Sequence, residues 1–211
     1  MFSPHSIKRF VITGIASFVI GAAPTYAAID FESATGINVP QKGGVMTFDG
    51  FDFSSNYTMA VINGMPSYGA DNGTNYFVFE AVKGGGQSSS SELVLTRHDG
   101  TPFRLTGLDL GGWLGFSKDV PGEVKLVGQR VDGTQAIMST TISSKSFSQV
   151  AAAADFTNLL SLSFALSSYP GTAYIGIDNI QVSPVPEPEN VALFLAGLGL
   201  LGCMAKRGKR A

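Results

Sequence analysis

The sequence predicts an all-β domain, a two-sheet antiparallel β-sandwich of jelly-roll type, between an N-terminal signal helix and a C-terminal transmembrane helix. Three observations lead to this fold class. Short apolar runs recur between residues 29 and 182, separated by Gly, Asn, Asp and Ser, a spacing typical of strands joined by turns. Within that region only Gln149–Asp155, QVAAAAD, favours a single helical turn. Both chain ends differ from the middle in composition, as targeting segments do.

The clearest predicted strand is Leu160–Leu166, LSLSFAL, in which four large apolar residues alternate with Ser and Ala. A period of two places these four side chains, Leu160 included, on the buried face of one strand. Asn75–Val82, NYFVFEAV, is apolar on both faces, as expected of an inner strand. Five further strands are predicted in ELVLTR, PFRLTGLDL, GEVKLVGQRV, QAIMSTTI and AYIGIDNIQV.

Turn dipeptides separate these runs. Asp99-Gly100 and Asp132-Gly133 each lie between two predicted strands and therefore predict hairpins. In PFRLTGLDL the inward parity changes around Gly107, which predicts a β-bulge there. Eight or more strands at this spacing favour a sandwich, here of jelly-roll type.

Residues 1–27 predict a secretory signal peptide. Lys8 and Arg9 precede an apolar run that ends before Pro24, and small residues suit cleavage after Ala27. The alternative is a buried N-terminal helix, but the tripartite order and the lack of acids favour export.

The predicted domain, residues 28–184, has about 157 residues, enough chain for one sizeable core. Its eight basic and fourteen acidic residues give a net charge of −6. Such a charge argues against a nucleic-acid binder and is compatible with calcium. The single cysteine, Cys203, lies in the tail, so stability must come from the core or from a metal.

The C-terminal segment, residues 185–211, has three parts. Pro186-Glu187-Pro188 predicts an extended, exposed peptide because proline fixes φ. Val191–Ala205 follows without a charge; as a helix it would rise about 22 Å, short of a ~30 Å membrane core. Basic residues that could snorkel and stay cytoplasmic end the chain. They are Lys206, Arg207, Lys209 and Arg210.

This tail resembles the PEP-CTERM sorting signal of Gram-negative bacteria, which exosortase recognises. Its opening motif consists of Val185, Pro186, Glu187 and Pro188. Glu189-Asn190 departs slightly from the usual context. The resemblance implies export, membrane anchoring through the C-terminal helix before processing by exosortase, and release or attachment at the cell envelope, cell surface or extracellular matrix. Such proteins are often found where exopolysaccharide and biofilm matrix are made. The alternative is an ordinary tail anchor that is never cut.

The opening IDFES and the closing YIGIDNIQV together resemble the extracellular carbohydrate-binding jelly rolls, in which the terminal strands lie side by side. The resemblance implies a structural calcium shared by Glu32 and Asp178, with Asp30 as a spare ligand. Calcium takes 6–8 oxygen ligands, so backbone carbonyls would supply most of the others. The alternative is that Asp178 satisfies turn or bulge amides while Glu32 is solvated.

Catalytic chemistry is not marked in the sequence. There is no G-x-S-x-G, and the one histidine of the domain, His98, lies beside a turn where solvation is its usual state. Zinc is disfavoured for want of His and Cys. A carboxylate pair of the glycosidase type stays open among fourteen acids, but no pair stands out.

Trp113, in GGWLGF, is the candidate ligand-binding residue because neighbouring glycines would let a sugar approach its ring. The alternative is a plug in the core between two sheets.

The sequence therefore predicts an exported, exosortase-sorted, non-enzymatic protein of the cell surface or matrix. A calcium-stabilised carbohydrate-binding module is the alternative, followed by a polysaccharide-acting enzyme.

Overall fold

The computed structural model describes residues 27–82, 92–113, 121–143, 146–168, 172–184, 195–199 and 201. Within these ranges the chain forms eleven strands, and every pairing between them is antiparallel. The all-β prediction is thereby confirmed. The strands are β1 Ala27–Ile29, β2 Gln41–Phe48, β3 Phe51–Ile62, β4 Tyr76–Val82, β5 Glu92–Arg97, β6 Phe103–Gly112, β7 Gly122–Arg130, β8 Gln135–Ile142, β9 Ser148–Ala151, β10 Leu159–Ser168 and β11 Thr172–Pro184.

Strand β3 connects two half-sheets. Its first part, Phe51–Ser54, pairs with β5, and its last part, Met59–Ile62, pairs with β4. One half-sheet runs β8–β7–β10–β5–β3 and the other β3–β4–β11–β6–β9. Strand β10 also meets β6 at Leu159 and Phe103. The half-sheets are therefore joined at two places and enclose one core between them.

The main core takes side chains from both half-sheets. Phe77 and Phe79 of β4 and Leu162 and Phe164 of β10 are fully buried there, as the period of two requires. The terminal strands lie side by side, since β1 pairs with β11 from Ala27 and Val182 onward. This places both ends of the domain on the β11 half-sheet, next to the site considered below.

Three local predictions are confirmed. Asp132-Gly133 joins β7 to β8 in a hairpin, and β4 is an inner strand between β3 and β11. The bulge at Gly107 is also present, because the β6–β11 register shifts where Gly107 faces Gln181. Strand β11 has a register shift of its own after Asp178, where Asn179 adopts a positive φ of 47°.

Three predictions are wrong. Asp99-Gly100 forms a turn, but the flanking strands β5 and β6 do not pair with each other. The turn therefore connects one half-sheet to the other and does not close a hairpin. Gln149–Ala151 lies in β9, where pairing with β6 outweighs the helical preference of its alanines. Leu160 is 43% exposed and Leu159 is buried, because an irregularity between Leu159 and Ser161 offsets the alternation.

The predicted signal peptide and the sorting motif, residues 185–188, lie outside the described residues except for Ala27. The same holds for the basic tail at 206–210. Residues 195–199 and 201 are helical. Among the described residues no helix is long and apolar enough to cross a membrane. Export, sorting and anchoring stay predictions.

Candidate functional site

The side of the β3–β4–β11–β6 half-sheet that points away from the core is called here the outer aromatic face. On the near side of the β6–β11 bulge it includes, by strand alternation, Ala60, Ile62, Tyr76, Val78, Glu80, Asp109, Gly111, Trp113, Tyr174, Gly176 and Asp178, and Arg104 and Thr106 of β6 continue it beyond the bulge. An outer face of an antiparallel sheet is commonly polar and solvated. Here five of these residues form a second buried apolar cluster, separate from the main core.

Residues Asn63–Asn75, called here the covering segment, connect β3 to β4 and lie over this face. The Ala70 amide donates to the Gly112 carbonyl at 2.9 Å. A Cβ on Gly69 would lie only 2.5 Å from the Trp113 Cα, so the two backbones touch. The segment therefore continues the buried cluster outward rather than standing free in solvent.

Trp113 lies at the centre of this cluster. Its indole ring is 5.8 Å from the Tyr174 ring, edge to face, and 5.8 Å from the Tyr68 ring, at a tilt of 36°. Trp113 is 7% exposed, whereas Tyr68 is 53% exposed. The predicted residue is thus buried outside the main core, and the ring that faces solvent above it is Tyr68. Tyr68 is not among the site residues predicted from the sequence.

Two facing glycines make room for another aromatic ring. Gly111 and Gly176 are cross-strand partners, and a Cβ on Gly176 would lie 2.9 Å from the Phe147 Cζ. Phe147 occupies that space and meets the Tyr76 ring edge to face at 5.1 Å. The outer aromatic face is therefore closely packed, as a protein interior is.

Two buried polar atoms of this face, Tyr76 Oη and Trp113 Nε1, have no hydrogen-bond partner among the residues that the structure describes. Burial raises the pKa of Tyr76 to about 12 and the negative charge of Asp71 adds to this, whereas weak hydrogen bonding with the Trp113 side chain acts in the opposite direction. No hydrogen bond of ordinary geometry joins Tyr76 to Trp113. A buried polar atom without a partner costs about 1–3 kcal/mol, so this pair calls for an explanation.

Asp178 anchors one end of the covering segment. Its Oδ2 accepts hydrogen bonds from Asn72 Nδ2 at 2.6 Å and Thr74 Oγ1 at 3.1 Å. Its Oδ1 accepts from the Asn179 amide at 2.8 Å. Burial raises the pKa of Asp178, and the facing Asp109 adds to this, while the three hydrogen bonds act in the opposite direction. Of these three donors only the Asn179 amide is a backbone amide at the bulge, and the other two are side chains of the covering segment.

Glu32 holds the same end of the segment from another side. Its Oε1 accepts a hydrogen bond from the Asn75 amide at 2.9 Å. Asn75 is buried and donates from Nδ2 to the Phe31 carbonyl at 3.2 Å. Its Oδ1 accepts from Asn63 Nδ2 at 2.7 Å. The structure thus brings Glu32 and Asp178 to one short stretch of chain, residues 72–75.

These contacts do not fit a calcium site. The groups that face the carboxylates of Glu32 and Asp178 are N–H and O–H donors, whereas calcium needs oxygen ligands. Asp30 accepts a hydrogen bond from the Glu32 amide at 3.1 Å. In the part of the chain that the structure describes, no group of three or more His, Cys, Asp or Glu side chains could hold a metal ion. Calcium binding stays a prediction.

Two arrangements bear on catalysis. His98 is exposed, and its Nδ1 lies 3.0 Å from Asp52 Oδ2. Hydrogen bonds from Thr47 and then His98 lower the pKa of Asp52, as in a surface ion pair. Asp109 and Asp178 face each other across β6 and β11, but Asp178 is 1% exposed. That pair does not offer two free carboxylates to a glycosidic bond.

No family model and no curated protein matches this chain. Among solved structures, it is similar to a family 29 carbohydrate-binding module, with 16% identity over 80% of this chain and 97% of that chain, and a TM-score of 0.44. The CBM22-1 xylan-binding domain from Paenibacillus barcinonensis is 13% identical over 77% and 96%, with a TM-score of 0.43. The K1 cleaved adhesin domain of Lys-gingipain from Porphyromonas gingivalis is 13% identical over 76% and 99%, with a TM-score of 0.41. Because these TM-scores lie below 0.5, we take the function proposed below from the residues of this chain.

Proposed function

We propose that this chain is an exported, non-enzymatic carbohydrate-binding β-sandwich of jelly-roll type, and that its outer aromatic face binds polysaccharide. The observation that carries the proposal is the Tyr68 ring, 53% exposed above the buried Trp113. An amphipathic ring of this kind offers an apolar face for packing and a polar tip for hydrogen bonding. The apolar face of a sugar ring is its natural partner.

The support beneath Tyr68 favours binding. Trp113 contacts both Tyr68 and Tyr174, and Gly69 seats the covering segment on the Trp113 backbone. A ring held in place before binding loses less conformational freedom when a ligand arrives. The nearby acid Asp178 is engaged in anchoring the segment, which favours binding over hydrolysis.

The binding test compares Tyr68→Ala with the unaltered protein on a panel of soluble matrix polysaccharides, by affinity electrophoresis and calorimetry. We expect Tyr68→Ala to weaken binding at least tenfold, or about 1.4 kcal/mol, with little change in the unfolding midpoint. The matched control is Ile137→Ala, which removes a side chain of similar exposure, 52%, from β8 on the other half-sheet. Absence of binding to every polysaccharide, or full binding by Tyr68→Ala, would overturn the proposal.

We also propose that the tail sorts the protein to the bacterial envelope or matrix through exosortase. The support is the order of motif, apolar run and basic end in residues 185–211. The test expresses the gene with and without exosortase and measures the intact mass of the mature protein. We expect a product that begins at Ala28 and is shortened near Pro186 only when exosortase is present. A full-length tail in both hosts would mean an ordinary membrane anchor.

A further inference from the structure

In the part of the chain that the structure describes, the outer aromatic face holds two buried polar atoms, Tyr76 Oη and Trp113 Nε1, that form no hydrogen bond of ordinary geometry. We infer that they form a subsite that binds one hydroxyl group of a neutral saccharide beneath the Tyr68 ring. This inference rests on the proposed function and specifies its ligand chemistry. A phenylalanine at position 76 would fill nearly the same volume without burying an oxygen, so packing alone gives no reason for the hydroxyl.

A saccharide hydroxyl suits both atoms. Its oxygen can accept a hydrogen bond from the Trp113 indole, which is a donor only, and from the Tyr76 hydroxyl. It can also donate its own proton to Tyr76 Oη. A tyrosine hydroxyl keeps its proton at neutral pH and is therefore available as a donor. Both atoms of the subsite would then be satisfied by one ligand group.

The surrounding charge selects a neutral ligand. Around the subsite the outer aromatic face carries the acids Glu80, Asp109 and Asp178. Asp71 of the covering segment adds a negative charge that acts on Tyr76. Arg104, on the same side of β6, lies beyond the β6–β11 bulge, so an anionic polysaccharide would meet mainly like charges at the subsite. We therefore expect discrimination against uronic acids.

The covering segment can give access to the subsite at its tip, Met65–Tyr68. At the start of the covering segment, the backbone amide and carbonyl of Asn63 both form hydrogen bonds with the Asn38 side chain. At its end, residues 72–75 are held by Asp178 and Glu32. Within the tip, the Tyr68 amide bonds only to the Met65 carbonyl, at 3.1 Å. A small outward shift of the tip would therefore admit one hydroxyl group beneath the Tyr68 ring, keep that ring above Trp113 and leave both anchored ends in place.

Trp113 is the only tryptophan of the chain, so its fluorescence reports on this site alone. The experiment titrates the full domain with neutral gluco-, xylo-, manno- and galacto-oligosaccharides, and with an oligogalacturonide as the anionic probe. The variant is Tyr76→Phe, and Tyr57→Phe is the control because it removes a tyrosine hydroxyl outside this face. We expect Tyr76→Phe to weaken neutral oligosaccharide binding about tenfold without lowering the unfolding midpoint, and Tyr57→Phe to leave binding unchanged. We expect the anionic probe not to bind.

The outcomes separate the subsite from the proposed function. If Tyr68→Ala loses binding while Tyr76→Phe binds as the unaltered protein does, the subsite is wrong and the function stands. If Tyr76→Phe also unfolds at a lower temperature, a resident water satisfies the hydroxyl in place of a ligand. If the unaltered protein binds no saccharide, the proposed function itself fails.

A second measurement needs no variant. The indole N–H of the single tryptophan gives one NMR signal, which we expect to shift and to exchange more slowly when the neutral oligosaccharide is bound. An unmoved indole signal at saturating oligosaccharide would overturn the subsite even if Tyr76→Phe failed to fold.

Discussion

The two outer faces of this sandwich differ in how deeply their side chains are buried. On β5, β7 and β10 the outward side chains form what is called here the outer serine face, whose members are half-buried. They are Val94, Thr96, Lys125, Val127, Ser161, Ser163 and Ala165. The outer aromatic face instead buries Trp113 and Tyr76 beneath a covering segment. The first face shows the usual pattern of an antiparallel sheet. The second face buries an apolar cluster and two polar atoms that have no partner among the described residues.

The outer serine face is also satisfied locally. Ser163 Oγ donates to the Val127 carbonyl at 3.4 Å, and Ser54 Oγ donates to the Val94 carbonyl at 3.3 Å. Among the described residues of this face, no buried polar side-chain atom lacks a hydrogen-bond partner. The contrast with Tyr76 Oη and Trp113 Nε1 is the reason for proposing the outer aromatic face as the binding face.

The largest effect is expected from adding bulk beneath the covering segment with Gly69→Ala. The new Cβ would lie 2.5 Å from the Trp113 Cα and 2.7 Å from the Gly112 carbonyl oxygen. Backbone atoms cannot move aside easily, so we expect a loss of about 1–3 kcal/mol in unfolding free energy and a shift in Trp113 emission. Urea unfolding and fluorescence measure both.

The control for this change is Gly36→Ala. Gly36 has a φ of 74° and open space around it, so alanine there costs about 1–2 kcal/mol of backbone strain without reaching the tryptophan. We expect unchanged Trp113 emission in this control. An unchanged emission in Gly69→Ala would mean that the covering segment does not rest on Trp113.

The second prediction concerns the pH dependence of stability. The raised pKa of Asp178 means that the folded state binds its proton more tightly than the unfolded state does. The stability of the unaltered protein relative to Asp178→Asn should therefore rise as the pH falls from neutral toward 3.8, the ordinary pKa of an aspartate side chain. Asparagine keeps one acceptor oxygen, so the hydrogen bonds that it loses should cost a further ~0.5–1.5 kcal/mol. Chemical unfolding at pH 7 and pH 4 measures this difference.

Asp132→Asn provides a control of opposite sign. Asp132 lies in the exposed β7–β8 turn, and its hydrogen bond from Thr134 lowers its pKa. The stabilising effect of ionised Asp132 is fully present above its pKa in the unfolded state, and it is lost as the pH falls through its lower pKa in the folded state. The penalty of Asp132→Asn should therefore shrink on acidification while that of Asp178→Asn grows. A parallel pH course in the two variants would mean that the burial of Asp178 does not govern its titration.

Much of the fold follows from local patterns. The alternation in β10 and the two-sided apolarity of β4 predicted their positions, and the parity change around Gly107 predicted its bulge. The errors arose where pairing between distant strands decides the outcome, as at Leu160 and in Gln149–Ala151. Local propensity is weak against such tertiary context.

The candidate site was harder to predict. Trp113 could be identified because it is the single tryptophan among glycines, but its partner Tyr68 lies 45 residues earlier in the chain. Asn72 meets Asp178 across 106 residues. Nothing in the sequence near Asp178 indicates that its neighbours donate hydrogen bonds rather than offer oxygen ligands. The position of the covering segment against Gly112 and Trp113 is a long-range contact that only the structure shows.

A smaller effect is expected on the outer serine face. Val127→Ala should change the unfolding free energy by at most about 0.5 kcal/mol, because this side chain is half-buried beside Ser163. In affinity electrophoresis the variant should bind every polysaccharide that the unaltered protein binds, with unchanged affinity. A loss of binding in Val127→Ala would reverse the assignment of faces.

The smallest expected effect is that of calcium. A ligand that binds the folded state raises stability by an amount that grows with its concentration, so thermal unfolding in millimolar calcium against a chelator is a direct test. We expect no shift, because Asp178 accepts three hydrogen bonds and Glu32 accepts one from Asn75. A concentration-dependent rise that Glu32→Gln abolishes would restore the calcium prediction, since glutamine keeps the acceptor oxygen and removes only the charge. The covering segment would then be held by a metal as well as by hydrogen bonds, and the accessibility of the site beneath it would depend on calcium.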